Sequence, residues 1–168
     1  MSTIHLSTPA RALIESAAGS AQGSKDRLVY VFSFVPDHKL KFKPSSDAKS
    51  ALEIMAHVAV CNRPFAEILR GKINGSTSME VFERYRNEEA SLTTRADVLA
   101  ALEESHAPLM SALRDLADDA VSAYVETPGL SRPMTFFMNL PSLHYIAHTG
   151  QIEYLQTIWG DLDFHVRG

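Results

Sequence analysis

The chain has 168 residues, of which 45% are hydrophobic and 21% are charged, values ordinary for a folded globular protein and unlike those of a disordered chain. Sixteen Lys and Arg residues against twenty Asp and Glu residues give a net charge of −4. This balance argues against nucleic acid or an anionic membrane surface as the main partner, because phosphate binding needs concentrated positive charge. We expect a single domain over residues 1–168.

The first third of the chain contains one helical segment and one ambiguous segment. Pro9 to Ala21 predicts a helix, whereas Arg27 to Val35 is rich in the β-branched and aromatic residues that favour strands. No second convincing strand is available to pair with it, and an isolated strand leaves its backbone groups without partners. We therefore interpret the second segment as helix. Its apolar face would carry Leu28, Val31, Phe32 and Val35.

Capping residues delimit a long second helix. Ser45 or Ser46 can cap a helix from about Asp47 to Arg70, and Gly71 stands where a left-handed residue ends a helix. Pro64 lies inside this helix and should bend it, because its ring removes a hydrogen bond and crowds the preceding turn.

Three more helices follow. A short helix is predicted over 79–88, and Thr94 with Asp97 predicts a cap that opens a helix reaching about Ala117. Pro141 fits the first turn of a last helix, which continues to Trp159 and stops at Gly160. Four main helices predict an all-α fold, a four-helix bundle.

Apolar runs and cysteine content indicate the compartment. The longest apolar runs, 28–32 and 98–102, have five residues, whereas a membrane span needs about 20 and the core of a signal peptide at least ~7. The single cysteine excludes an internal disulfide framework and suits a reducing compartment. We expect a cytoplasmic protein with no membrane partner.

The last predicted helix carries two histidines four residues apart, His144 and His148. This spacing places both rings on one helical face and within reach of a single ion. A stripe about 80° wide, predicted to point into the bundle, contains the two histidines with Gln151, Leu155 and Ile158. The opposite side carries Thr149, Glu153, Gln156 and Thr157. A shared cation would satisfy both rings, and two core histidines with ordinary hydrogen bonds are the alternative.

His57 is the candidate third ligand, because it lies in an apolar stretch of the predicted helix 47–70 and should be buried. Three imidazoles from two helices leave coordination positions open for water or substrate, as in catalytic metal sites. The remaining histidines are interpreted as solvated rather than ligating. They are His5, His38, His106 and His165.

The segments LEIMAHVAVCN and LHYIAHTGQIEYLQTIWGD, which contain these three histidines, strongly resemble the DinB/YfiT superfamily of four-helix-bundle proteins. The resemblance extends to the linker from Pro36 to Pro44 and covers nearly the whole chain. It implies that His57, His144 and His148 bind a divalent metal ion, often zinc, nickel or iron. Homodimers are common in the family, which agrees with the apolar stretch Met134 to Leu140 and the aromatic-rich first third in predicting a homodimer.

Three polar residues near the histidines have candidate roles. Glu53 could act as a general base or as the partner of His57 Nδ1, or could be a solvent-facing carboxylate near a helix start. Gln151 could orient His148 or a bound water, or could make a simple core hydrogen bond. Cys61, one turn after His57, could be a ligand or a redox group, although a buried lone cysteine is more often a small apolar filler.

The resemblance implies several kinds of chemistry on a small-molecule substrate. Some relatives are S-transferases that use low-molecular-weight thiols such as bacillithiol, and others are mycothiol-dependent isomerases or metal-dependent hydrolases. We favour a thiol-dependent S-transferase that presents a metal-held thiolate to an electrophile. The alternatives are a hydrolase using metal-bound water, with Glu53 as proton acceptor, and a metal- or ligand-binding stress-response protein without turnover.

Overall fold

The computed structural model describes residues 8–72, 79–127 and 130–166. These residues form five helices and one antiparallel hairpin, in which Tyr124 pairs with Pro133 and Val125 pairs with Arg132. The helices are α1 (Pro9–Ser33), α2 (Ala51–Leu69), α3 (Met79–Ser91), α4 (Arg95–Arg114) and α5 (Met134–Ile158). The strands are β1 (Tyr124–Thr127) and β2 (Leu130–Pro133).

The predicted all-α fold is confirmed. Helices α1, α2, α4 and α5 form the bundle, in which α2 packs on α4 and α5 while α1 packs on α5 and α4. Two buried clusters fill it, one containing Met55 and Tyr145 and the other containing Leu109 and Phe137. Helix α3 lies outside the four and packs on α2. None of the described helices is long and apolar enough to cross a membrane.

The ambiguous segment of the first third is helical, as predicted. Helix α1 runs without a break to Ser33, and the hydroxyl of Thr8 caps it by accepting a hydrogen bond from the Arg11 amide. The apolar face predicted for this segment is buried completely. Tertiary burial along the bundle therefore overrides the strand propensity of the β-branched and aromatic residues.

Helix α2 begins later than predicted, because its cap is Ser50 rather than Ser45 or Ser46. The Ser50 hydroxyl accepts from the Glu53 amide while the Glu53 carboxylate accepts from the Ser50 amide, at 3.3 and 2.8 Å. This reciprocal capping box satisfies two backbone donors at once. Neither Ser45 nor Ser46 has an acidic or amide residue three positions later.

Helix α5 begins at Met134, so the prediction that Pro141 opens it is wrong. The hairpin of β1 and β2, which the sequence analysis does not predict, precedes the helix, and Pro133 is its N-cap residue. Strands of four residues are too short to show a clear alternation of apolar and polar side chains. Pro141 lies inside the helix on its buried side.

The apolar stretch that predicted a dimer interface belongs largely to the chain's own core. Met134, Phe137 and Met138 are 6, 3 and 1% exposed. The prediction of a homodimer therefore loses the support of this stretch, and it stays a prediction.

A buried polar network crosses all four bundle helices. Tyr145 donates its hydroxyl hydrogen to Asn62 Oδ1 at 2.8 Å, and His106 Nδ1 lies 3.0 Å from the same hydroxyl. Asn62 Nδ2 donates to Ser105, and His106 Nε2 contacts Gln22 Oε1 at 3.1 Å. The prediction that His106 is solvated is wrong, since its side chain is 4% exposed. Its two ring nitrogens have partners on two other helices, Tyr145 on α5 and Gln22 on α1, as a buried imidazole needs.

The other two described histidines outside the candidate site differ from each other. His38 is exposed, as predicted. His165 is only partly exposed, because its ring stacks on Phe34 at 3.9 Å between centroids and its Nε2 lies 2.9 Å from Asp161. His5 lies outside the described residues.

Replacing Tyr145 with Phe should destabilise the fold by about 1–3 kcal/mol, because it leaves Asn62 Oδ1 and His106 Nδ1 buried without this partner. Urea unfolding measures the change. The matched control is Tyr154→Phe on the same helix, whose side chain is 67% exposed and whose change should stay within about 0.5 kcal/mol. Equal effects of the two substitutions would contradict the importance of the network.

The metal-free protein should become less stable as the pH is lowered, because the His106 imidazole takes up a proton more readily in the unfolded chain. Burial, followed by the positive charge of Lys25, lowers the pKa of His106 to about 4. Because an unfolded chain protonates histidine near ~6.5, acid favours unfolding from about pH 6.5 down to about pH 4. His106→Gln removes this titration and should flatten the dependence of the unfolding free energy on pH over that range. If the unfolding free energies of the wild type and of His106→Gln, both measured in chelator, change with pH in the same way, this prediction is contradicted.

Candidate metal centre

Helices α2 and α5 bring the three predicted ligand histidines together. His144 Nε2 lies 3.4 Å from His57 Nε2 and 3.1 Å from His148 Nε2. The i,i+4 spacing on α5 brings the rings of His144 and His148 together edge to face, 4.3 Å apart between centroids. Packing of α2 against α5 supplies the third ring. The Nε2 atoms of His57 and His148 therefore both lie close to Nε2 of His144.

The histidines lie at the edge of the core and not in its middle, which corrects the predicted orientation of α5. Thr149 and Gln156, expected on the outer side, are 5 and 2% exposed, whereas Ile158, expected inside, is 42% exposed. Tyr145 and Ile152 lie at the centre of the buried face. Because α5 packs on both α1 and α2, its buried face is rotated relative to the predicted stripe.

Two of the three rings have an acceptor at Nδ1. His57 Nδ1 lies 2.8 Å from Glu89 Oε1 on α3, and His148 Nδ1 lies 2.7 Å from Gln151 Oε1. An ionised carboxylate and an amide oxygen only accept hydrogen bonds, so each Nδ1 carries a proton, and Nε2 is the nitrogen through which each ring can bind a cation. Such partners fix the orientation of metal-binding imidazoles in proteins.

Glu89 is the residue that the sequence analysis missed. Burial raises the pKa of its carboxyl, but the hydrogen bond from His57 and the charge of Lys49 lower it more, so the pKa lies below its ordinary value. Lys49 Nζ reaches the second carboxylate oxygen at 3.3 Å. Glu89 is 32 residues from His57 on a separate helix, so no local spacing marks it as the partner.

Glu53 is not the partner of His57 Nδ1, and that prediction is wrong. Its carboxylate takes part in the α2 cap and lies 3.1 Å from Lys43 Nζ. Slight burial raises its pKa, but hydrogen bonds from Ser50 and Lys43 more than offset this and lower it. A role of Glu53 as general base stays a prediction.

Cys61 lies one turn after His57 on α2, and its side chain lies next to the histidine cluster. Its Sγ lies 3.5 Å from His57 Nε2, and the donor atoms of His57, Cys61 and His144 all lie within 4.8 Å of one another. Burial, followed by the charge of Glu89, raises the pKa of the thiol to about 12. In the absence of a cation, Cys61 is therefore a neutral thiol at physiological pH.

The arrangement of the three Nε2 atoms fits a cation. Burial, followed by the charges of His148 and His57, lowers the pKa of His144 to about 3, so the central ring is neutral at pH 7. His144 Nδ1 is buried with no hydrogen-bond partner among the described residues. A neutral His144 ring has one proton to donate, which cannot fully satisfy both neighbouring Nε2 atoms, whereas one ion can accept a lone pair from each of the three rings. Nitrogens about 2.0–2.1 Å from a tetrahedral ion lie about 3.3 Å apart, and the observed separations are 3.4 and 3.1 Å. The donor set therefore suits a divalent metal ion.

Two cavities flank the cluster and share His57 and Lys49. One, of about 490 Å³, lies under α3 and is lined by Cys61, Phe82, Tyr85 and Arg86 among others; we call it the α3 cavity. The other, of about 550 Å³, lies beside α5 and is lined by His148, Gln151, Tyr154 and Leu155 among others; we call it the α5 cavity. Small molecules can therefore approach the histidines from two sides.

Comparison with protein families identifies the chain. Residues 22–152 match the model of the DinB superfamily. The chain belongs to the DinB superfamily. This finding confirms the resemblance carried by the two histidine-containing segments. A search of curated proteins finds no significant match.

Solved structures of two kinds share the fold. A mycothiol-dependent maleylpyruvate isomerase is 18% identical with a TM-score of 0.67, and its histidine-to-alanine mutant gives 0.66 at the same identity. Each match covers 83% of this chain but only 60% of the isomerase. A DinB-like protein from Bacillus cereus is 14% identical with a TM-score of 0.61, over 88% of this chain and 91% of that protein.

Removal of the Glu89 carboxylate should weaken metal binding. Glu89→Gln should lower zinc affinity about 10–100-fold, because partners of ligand histidines commonly contribute that much. Competition with a chromogenic chelator measures the affinity. Glu88→Gln is the matched control, since the adjacent Glu88 pairs with Arg63 of α2 and not with His57. Equal affinities of the two variants would contradict the role of Glu89.

Proposed function

We propose that the chain is a metal-dependent enzyme that transfers a low-molecular-weight thiol to a small electrophile. His57, His144 and His148 would hold the divalent ion, which would be zinc, nickel or iron. The observation that carries this proposal is the close approach of His57 Nε2 and His148 Nε2 to His144 Nε2, beside two cavities. Three protein ligands leave coordination open for a substrate.

The ion would supply a thiolate at neutral pH, because a metal deprotonates a thiol bound to it. In the transfer, the sulfur would form a bond to an electrophilic carbon of the second substrate. The thiol proton would pass to solvent, and a leaving group would depart with the electrons of its bond to carbon. No described side chain has to act as the nucleophile in this reaction.

The chain's own residues would orient the ligands and receive the substrates. Glu89 and Gln151 hold the His57 and His148 rings by their Nδ1 protons. Phe82 and Tyr85 give the α3 cavity an apolar lining beside the cationic Arg86, which suits an electrophile with an apolar body. The α5 cavity offers a separate approach for the thiol.

Thiol chemistry draws support from the structural comparison. The isomerase that shares this fold depends on mycothiol, a low-molecular-weight thiol. At 18% identity and 60% coverage of that enzyme, the likeness shows the fold and does not transfer the substrate. The proposal therefore names a thiol as a class and leaves the electrophile open.

The test uses untagged protein, because a purification tag can introduce nickel. The protein is stripped with chelator, reloaded with zinc, nickel or ferrous iron, and assayed with a panel of thiols and a chromogenic aryl halide. His148→Ala should lose the bound ion and the thiol-dependent rate. His38→Ala, at an exposed position outside the site, should keep both.

Two results would contradict the proposal in different ways. Retention of a full equivalent of metal by His148→Ala would refute the three-histidine site. Metal binding with no thiol-dependent turnover across the panel would refute the transferase, and turnover of activated esters would then favour the hydrolase.

A further inference from the structure

Cys61 lies next to the three histidines, but the proposed transferase assigns it no role. It is one helical turn after His57 on α2, and its side chain lines the α3 cavity. Among the described residues, the hydrogen-bond partner of its Sγ is the His57 ring alone. It is also the single cysteine of the chain.

Cys61 Sγ lies within reach of an ion held by the histidines. A tetrahedral ion with sulfur at about 2.3 Å and nitrogen at about 2.0–2.1 Å separates these two donors by about 3.6 Å. Cys61 Sγ lies 3.5 Å from His57 Nε2 and 3.7 Å from His57 Nδ1, so it faces the side of the ring and has to turn about its side-chain torsion to reach an ion on Nε2. The donor atoms of His57, Cys61 and His144 lie within 4.8 Å of one another. The sulfur therefore occupies the side of the His57–His144 pair that faces the α3 cavity.

We propose that Cys61 is a fourth, exchangeable protein ligand of the metal ion, which yields its position to the incoming low-molecular-weight thiol. This inference rests on the proposed metal centre and deepens it. The protein sulfur closes the coordination shell when no substrate is bound. The open position needed for the reaction is created when the substrate arrives.

Differences in how the donors are held explain why the cysteine is the ligand that leaves. Glu89 and Gln151 fix the rings of His57 and His148 through their Nδ1 protons. Cys61 has no comparable partner among the described residues, and its short side chain can turn by rotation about a single bond. His144 Nδ1 has no such partner among the described residues, but its ring packs edge-on against Phe65. The three histidines therefore retain the ion while the sulfur exchanges.

The protons balance in both steps. Binding of the ion by Cys61 releases the thiol proton to solvent. In the exchange, the incoming thiol gives up its proton and the departing Cys61 sulfur takes one, so the exchange releases no net proton. No oxidant or reductant takes part.

Cobalt(II) reports on the ligand set directly, because sulfur bound to cobalt gives a charge-transfer band in the near ultraviolet and nitrogen ligands do not. The experiment uses full-length untagged protein with one equivalent of cobalt in buffer free of thiols. We expect the band in the wild type. Since the chain has one cysteine, Cys61→Ser should lose the band while it retains the cobalt, and Cys61→Ala should do the same.

A second arm tests the exchange. Addition of 2-mercaptoethanol to cobalt-loaded Cys61→Ala should create the band that this variant lacks. In the wild type the same addition should leave the intensity about unchanged and should release no proton, as measured with a pH indicator. A doubled band in the wild type would mean that both sulfurs bind together, which would overturn exchange.

The remaining outcomes separate this inference from the transferase. A full equivalent of cobalt without the band in the wild type, or a band that persists in Cys61→Ala, would overturn the role of Cys61 and leave the three-histidine centre intact. Absence of bound cobalt would overturn both proposals. A band that depends on Cys61 in a protein with no thiol-transfer activity would uphold the ligand and refute the transferase.

Discussion

The mutual approach of three imidazole nitrogens is the constraint on which the candidate site depends. Hydrogen bonds to Glu89 and Gln151 place the protons of His57 and His148 on Nδ1, so their Nε2 lone pairs face His144. Lone pairs brought this close repel one another unless a proton or a cation lies between them. The rings keep this arrangement because the helices that carry them are fixed by packing elsewhere. The site thus combines a rigid scaffold with nitrogen donors whose close approach is unfavourable unless a proton or a cation lies between them.

Adjacent residues of α5 connect the scaffold to the donors. Tyr145 is fully buried and bonds to Asn62 of α2, while the neighbouring His144 points to His57 of the same helix. The buried hydrogen bond therefore holds α2 and α5 in register next to the point where their histidines meet. Satisfied polar networks of this kind specify one arrangement of a core, since any shift leaves buried groups without partners.

The parts of the site that could be predicted are those encoded by local spacing. His144 and His148 are one turn apart on a single helix. His57 lies in an apolar stretch, where a polar ring is unfavourable unless it has a binding partner. The orientation of α5 could not be predicted in the same way, because a helical wheel does not show that α1 and α2 pack on different sides of it. The start of α2 depended on a capping box that only Ser50 and Glu53 can form.

Glu89 shows a further limit of sequence reasoning. A ligand histidine is expected to have an acceptor at Nδ1, so the chemistry predicts that some carboxylate partners His57. The chain offers 20 acidic residues, and Glu53 is one candidate for this role from sequence alone, with a solvent-facing carboxylate near the helix start as its alternative. Its use in the helix cap removes it, and only the packing of α3 on α2 shows which acid takes its place.

The attachment of α3 follows from the same contacts. None of its side chains at positions 80–91 is fully buried, and its ion pairs to the region of α2 run from Glu88 to Arg63 and from Glu89 to Lys49 and His57. Polar contacts therefore contribute to holding α3 on α2, and one of them is to a candidate ligand. Linkage requires that whatever affinity Glu89 adds for an ion at His57, the ion adds to the docking of α3. Because α3 forms one wall of the α3 cavity, an ion bound at His57 would also stabilise that wall.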